Sequence, residues 1–293
     1  DCTDEEYNEF YHKVFGDFND PLFSVHINAD YPLNFKGILF FPKLRSEYEN
    51  IEGQVKLFYN QVFVADNVKE VMPDYLFMLK GVIDCPELPL NVSRSYLQNN
   101  TYVSKVSAHI VKKIADKITN LCQNNREEYE KIWGAIRVFI EYASVRDRKF
   151  FDRVKDSILL QLTDKSSITI TEYMDAARGD NEEGKSKEKE SVTVYYTSDE
   201  AQQSQYISLY TANSHKVAVL DQMIDTQFIS SAEGVYEKLK FVRVDADVSA
   251  LVNENDKKEN KDITELFRKV TGNEKLEVKF ENFKDSKTPA LLN

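Results

Sequence analysis

Apolar residues recur along the middle of the chain with the period of a helix. Val103, Val106, Ile110, Ile114, Ile118 and Leu121 fall three and four apart, and Lys105, Lys112, Lys113 and Lys117 take most of the other side. That spacing predicts a long amphipathic helix. Ile132, Ile136, Phe139, Ile140 and Ala143 predict a second, and a shorter third lies around Phe151, Val154 and Ile158. Upstream the pattern is that of strands. "LNFKGILFF" (33–41) ends at Pro42, and "QVKLFYNQVFVAD" (54–66) is rich in aromatic and β-branched residues and follows Gly53. "YLFMLKGVID" (75–84) is ambiguous; Pro73 before it and Gly81 inside it favour strand.

Beyond the helices the order becomes strand, helix, strand. "VTVYYT" (192–197) reads as a strand. Ser198 offers an N-cap oxygen, and Asp199 and Glu200 suit the positive end of a helix running to about Tyr210. "HKVAVLD" (215–221), another helical stretch and "KFVRVD" (240–245) complete a small parallel α/β unit. Two charge-rich stretches interrupt it. Gly179–Ser191 holds no apolar residue and reads as a mobile loop, and Asn253–Asp262 reads as a linker. "ITELFRKV" then predicts a short amphipathic helix and "LEVKFENF" alternates like a strand; this tail is too small to fold as a full domain by itself.

The expected fold class is mixed α/β: a layered α-β-α larger subdomain over 1–122, a helical connector over 123–165, a smaller α/β subdomain over 166–252, and the truncated start of a further domain over 253–293. The 293 residues, 42% of them hydrophobic, leave room for such a division. Acids outnumber bases 49 to 38, for a net charge of −11. That balance argues against a general nucleic-acid binder, which needs clustered cations to release counterions. Cys2, Cys85 and Cys122 form no CxxC pair and read as free thiols of a reducing compartment. The longest apolar runs, such as 38–41, are far too short for a membrane span. No stretch of the chain reads as a signal peptide, and a start at Asp1 reads as a piece of a longer cytoplasmic protein.

Self-sufficient chemistry is missing. The nine glycines stand singly, with no GxGxxG or GxxxxGK[ST], and there is no HExxH or GxSxG. His12, His26, His109 and His215 share no metal spacing; His109 reads as a partly exposed helix residue and His26 as a strand residue. The acid pairs Glu5–Glu6 and Glu127–Glu128 read as solvated helix starts. One stretch stands out, "LPLNVSRSYLQ" (88–98). Pro86 and Pro89 stiffen it, and Ser93 or Asn91 can cap a helix from which Arg94 and Gln98, four apart, project together. A forked cation beside an amide suits a phosphate; the other reading is that Arg94 caps a carbonyl or pairs with an acid. Phe18, among the turn formers of "DFNDPL", is a candidate for a surface patch, whereas Phe63 lies in a strand where aromatics usually pack inward.

"FYHKVFGDFNDPL", "GILFFPK", "KLFYNQVFVAD", "PDYLFMLKGVID" and "LPLNVSRSYLQ" together resemble, in order and spacing, the middle domain of the heat shock protein 90 chaperones of the bacterial HtpG type. "VTVYYTSDEA", "VAVLDQMIDTQF" and "DSKTPALL" look like the small middle subdomain and the opening of the C-terminal domain, so the resemblance spans nearly the whole chain. It implies an ATP-dependent chaperone of protein folding and stress response. ATP with Mg2+ would be held by an N-terminal domain, with no cofactor bound by this chain alone. By motif position, Arg94 would reach the γ-phosphate and Gln98 would support it, as catalytic residues acting on a nucleotide held by another domain. Phe18, Phe63 and Phe228 would be client-binding. The implied partners are the protein's own N-terminal ATPase domain, client proteins and a DnaK-type chaperone, with neither nucleic acid nor membrane. The full-length protein would be a homodimer through its C-terminal domain and this chain a monomer without activity of its own. Ser95 departs from the acid that many members carry after the Arg, and "LRSEYENIEG" is shorter and more acidic than the usual loop.

Overall fold

The computed structural model describes residues 2–30, 33–43, 54–67, 71–76, 78–87, 101–179, 191–246 and 261–273, with Leu276 and Val278. By their contacts they divide into two compact units. The first comprises Asp1–Leu159, Thr169–Thr171 and Thr226–Ser231, the second Leu160–Ile168, Glu172–Asp225 and Ala232–Asn293.

The first unit is a layered α-β-α arrangement. Helix α1 (Asp4–Phe15) opens on a capping box: Thr3 Oγ1 accepts from Glu6 N at 3.3 Å, and Glu6 Oε2 accepts from Thr3 N at 2.8 Å. It ends at Gly16, whose left-handed φ of 62° lets its N–H reach His12 O at 3.0 Å. The sheet follows with β1 (Phe23–Ala29), β2 (Phe35–Phe41), β3 (Gln54–Tyr59), β4 (Val62–Asp66) and β5 (Lys80–Asp84), in the spatial order β1-β2-β5-β3-β4. All neighbours are antiparallel except β3 and β5, which run parallel. Helix α1 lays Tyr11 onto Ile38 and Phe40 on one side, with Tyr7 and Phe15 packed around them. On the other side lie α2 (Thr101–Asn124), α3 (Arg126–Arg146) and α4 (Arg148–Val154). Phe35 meets His109 of α2 edge-to-face at 5.4 Å, and Phe41 meets Phe139 of α3 at 4.9 Å. The positions read as the apolar stripe of α2 are all buried. In α3 the buried stripe includes Trp133 and the one-turn ion pair Arg137–Glu141, at 2.9 Å, while Ile132 is only half-buried.

Two expectations change here. The stretch 54–66 is a hairpin, not one strand. Asn60 and Gln61 take φ of 48° and 64°, the left-handed pair of a primed two-residue turn, and Gln61 N donates to Asp84 Oδ2 at 3.1 Å. Within 75–84 only Lys80–Asp84 is strand. A 3-10 turn at Asp74–Leu76 precedes it, closed by Leu76 N to Pro73 O and tied down by Tyr75 Oη to Asp147 Oδ2 at 2.6 Å. Helices α2, α3 and α4 fall within the first unit, which runs as far as Leu159 before the chain crosses to the second.

Gly81 has a packing reason. A Cβ there would lie 2.5 Å from both Ile38 O and Leu39 Cδ2, in the middle of the β2–β5 ladder. Strand backbone cannot retreat without losing ladder bonds. Gly81→Ala is therefore expected to destabilise the chain by about 2 kcal/mol, within the ordinary range of overpacking, measured by urea unfolding. A variant as stable as the parent would show that the ladder yields.

The second unit contains a three-stranded parallel sheet. The chain passes through a hairpin of β6 (Leu159–Gln161) and β7 (Ser167–Thr169), then α5 (Ile170–Gly179), β8 (Val192–Thr197), α6 (Ser204–Ala212), β9 (Val217–Val219), α7 (Asp225–Val235) and β10 (Leu239–Arg243). The spatial order is β10-β8-β9, the parallel α/β unit that the spacing predicts. Helix α6 starts later than Ser198 suggests. Asp199 Oδ1 takes the N–H groups of Ala201 and Gln202 in a preceding turn, while buried Gln203 accepts from Thr197 Oγ1 and Ser198 N. Helix α8 (Lys261–Thr271) exposes Ile263, Leu266, Phe267 and Val270, the apolar stripe expected of "ITELFRKV". The expected loop over 180–190 and most of the strand-like "LEVKFENF" lie outside the described residues.

Candidate functional site

Gly16 ends α1 and the chain turns at once, leaving Phe18 89% exposed. The turn is held from inside. Asp17 Oδ2 accepts from Tyr11 Oη at 2.8 Å and from Lys80 Nζ at 2.9 Å, and Oδ1 accepts from Asn19 N at 3.2 Å. Lys80 also lies 5.4 Å from the centre of the Tyr11 ring. The Asp17 side chain is only 14% exposed. Burial alone would raise its pKa; the hydrogen bonds from Lys80 and Tyr11 outweigh that and lower it to about 2. Asp20 Oδ1 lies 3.1 Å from His12 Nε2, and Leu22 N closes the turn onto Phe41 O at 2.8 Å. A large apolar side chain in water costs stability, and here the fixed turn maintains that exposure.

Phe63 is also at the surface, 51% exposed. Its ring meets Phe58 edge-to-face at 5.8 Å, and Lys56 Nζ lies 5.9 Å from its centre. Val55 and Leu57 point into the core, so Phe58 and its register partner Phe63 belong to the other side of the sheet. Phe58 pairs with Asp84 of β5, and Lys80, which anchors the Phe18 turn, lies four residues back along the same side of that strand. The two anchor points are therefore about 13 Å apart on the α1 side of the sheet.

Phe228 is a correction. It has no exposed surface, and its ring lies 5.8 Å from Phe151 within the first unit. A client could reach it only where that packing opened. Met223 carries the exposure instead, at 99%, in the turn between β9 and α7. Gln222 N donates to Asp225 Oδ2 at 2.9 Å and Asp225 N to Gln222 O at 3.1 Å, which closes the turn beneath Met223. The sequence signal for Met223 was its place among Asp221, Gln222 and Asp225.

Arg94 and Gln98 lie outside the described residues; the flanks of their segment do not. Cys85, buried after β5, places Sγ 3.5 Å from Tyr102 Oη in the first turn of α2, and Tyr102 Oη donates to Asn34 O at 3.4 Å. Elsewhere His109 is half-buried, with burial and then Lys113 and Lys112 lowering its pKa. Among the described residues no three His, Cys, Asp or Glu side chains come together as a metal site, and no helix is long and apolar enough to cross a membrane. A cleft of about 370 Å3 lies in the second unit where β8 and β10 end, but its polar groups bond one another, as Arg243 does with Asp245.

Comparison with known proteins places the chain in a family. The family model described as Hsp90 protein matches residues 1–286. The chain is 37% identical over 263 residues to the chaperone protein HtpG of Porphyromonas gingivalis, covering 89% of this chain and 38% of that protein. With the protein of the same name from Bacteroides thetaiotaomicron it shares 36% identity over 260 residues, covering 88% and 37%. The chain thus spans less than half the length of the curated relatives it matches. Among solved structures it resembles the middle domain of a heat shock protein of Plasmodium falciparum. The TM-score is 0.63 at 21% identity, over 83% of this chain and 95% of that one, a likeness of fold.

Proposed function

The chain belongs to the Hsp90 protein family, and from that membership we propose that it serves as the middle domain of an ATP-dependent, cytoplasmic chaperone of the HtpG type. In this reading ATP and Mg2+ are held by an N-terminal ATPase domain outside the chain. Arg94 engages the γ-phosphate when the two domains close, supported by Gln98. A cation placed where charge builds on the transferring phosphoryl group lowers the barrier without any chemistry in the middle domain itself. The chain alone hydrolyses nothing, and dimerisation belongs to the C-terminal domain.

Client binding rests on Phe18 and Phe63. The observation that carries it is Phe18, 89% exposed on a turn braced by a half-buried carboxylate. A preorganised aromatic loses little freedom on contact, so most of its burial appears as affinity. Phe63 adds a second apolar contact on the same side of the sheet, and Met223 takes the place that Phe228 cannot fill.

Phe18→Ser in the full-length chaperone is expected to weaken binding of a permanently unfolded reporter chain about tenfold or more, read by fluorescence anisotropy, since buried aromatic anchors contribute about 2 kcal/mol. Thermal stability should not fall, because the ring makes no core contact. Unchanged affinity would remove Phe18 from the client surface.

A further inference from the structure

Phe18 and Phe63 stand at opposite ends of one sheet face. On that face β3 and β5 are matched as Gln54–Lys80, Lys56–Val82 and Phe58–Asp84. Phe63 sits at the Asp84 end, where its ring meets Phe58. The turn that bears Phe18 sits at the Lys80 end. Asp17 holds Lys80 there, and Leu22 N reaches Phe41 O, one position past Phe40, the β2 partner of Lys80. Lys80 and Asp84 are four strand residues apart, so the footings of the two aromatics are separated by about 13 Å or more. Midway between them Lys56 and Val82 are both half-buried, and Lys56 Nζ lies 3.4 Å from Asp66 Oδ1. Lys80 is likewise paired, with Asp17. Both cations of the strip have a carboxylate partner, so a charged ligand gains little there. We propose that Phe18 and Phe63 work as a pair that selects an extended, uncharged segment of an unfolded chain, one with large apolar side chains four or six positions apart.

The inference rests on the reading of both residues as client contacts. Its physical basis is strand geometry. An extended chain advances about 3.3 Å per residue and turns alternate side chains to the same face. Side chains two positions apart span only about 7 Å and touch one aromatic at a time. Four positions span about 13 Å and six about 20 Å, with both side chains toward the sheet, whereas three or five turn one of them away. A segment that meets both aromatics makes the second contact as an intramolecular step, and that gain vanishes when the connecting chain cannot span the sites. The spacing has a fixed end because the Phe18 turn is held by Tyr11, Lys80 and Asn19 through Asp17. At the other end Phe63 lies on a strand paired along β3.

The test is fluorescence anisotropy of labelled Ser/Thr peptides bound to the full-length chaperone. Each peptide carries two Phe, and the set is identical in composition and differs only in their spacing. Thr favours extended backbone, which keeps the spacings distinct. Peptides with Phe four or six positions apart are expected to bind about tenfold more tightly than the one with Phe two apart. The latter should bind within about twofold of a control with a single Phe, since only one contact forms at a time. In Phe63→Ser the preference should vanish and every peptide should bind like the control. Phe18→Ser should do the same, and both rings lie at the surface, so neither variant should unfold the chain. Equal affinity at all spacings, with Phe18→Ser and Phe63→Ser each still weakening binding, overturns the inference and leaves the client reading intact. A spacing preference that survives in Phe63→Ser overturns it too, since the second contact would then lie elsewhere. Parental affinity in both variants defeats the client reading and takes the inference with it.

Discussion

Arg94→Ala is expected to lower ATP turnover by the full-length chaperone about 1,000-fold, the low end of what a phosphate-engaging arginine contributes. The loss should fall on kcat. ATP is held by the N-terminal domain in this account, so nucleotide affinity should stay within a few-fold of the parent. Arg94→Lys should recover little, because an ammonium offers a point charge where a planar fork spans two oxygens. Gln98→Ala should cost about tenfold, as the loss of one supporting hydrogen bond. The competing reading, a protein-binding scaffold with a structural Arg94, makes the opposite forecast. Arg94→Ala would then lower the melting temperature and leave turnover per folded molecule unchanged. Measuring rate and stability on the same preparation separates the two.

The parts of the fold legible from sequence were those decided by local periodicity. The stripe from Val103 to Leu121 could be read because one helix face meets one apolar layer, and its positions are buried as expected. The parallel strands β8, β9 and β10 could be read because short apolar runs alternate with helical spacing. What failed were features set by contacts distant in sequence. The turn at Asn60–Gln61 has no glycine to announce it; its left-handed residues are tied to Asp84, more than twenty positions away. Ser198 looked like a cap, but its N–H goes to Gln203, and Asp199 caps a turn instead. The site shows the same division. The exposure of Phe18 was legible from the turn formers around it. The burial of Phe228 was not, because it depends on Phe151, which lies on another element.

Asp17→Ala should destabilise the chain by about 3 kcal/mol, because it leaves the Lys80 ammonium and the Tyr11 hydroxyl without the partner around which that corner is built. The carboxylate also carries a pH signature. Its folded pKa, about 2, lies below the ordinary 3.8, so its stabilisation is fully present above about pH 4 and is lost as pH falls from there through 2. The shift corresponds to about 2 kcal/mol at neutral pH. Asp17→Asn keeps the shape and cannot titrate. Urea unfolding of the parent and of Asp17→Asn should therefore differ by about 2 kcal/mol at pH 6 and converge toward pH 2, with other carboxylates cancelling in the difference. A gap that stays constant across that range would mean that the carboxylate's charge is not what holds the turn. Client affinity should follow the same variant, since Phe18 is presented only while the turn beneath it is closed. Asp17→Asn at pH 6 should bind an unfolded reporter more weakly than the parent even where both are fully folded, and that loss would tie the half-buried network to the exposed ring.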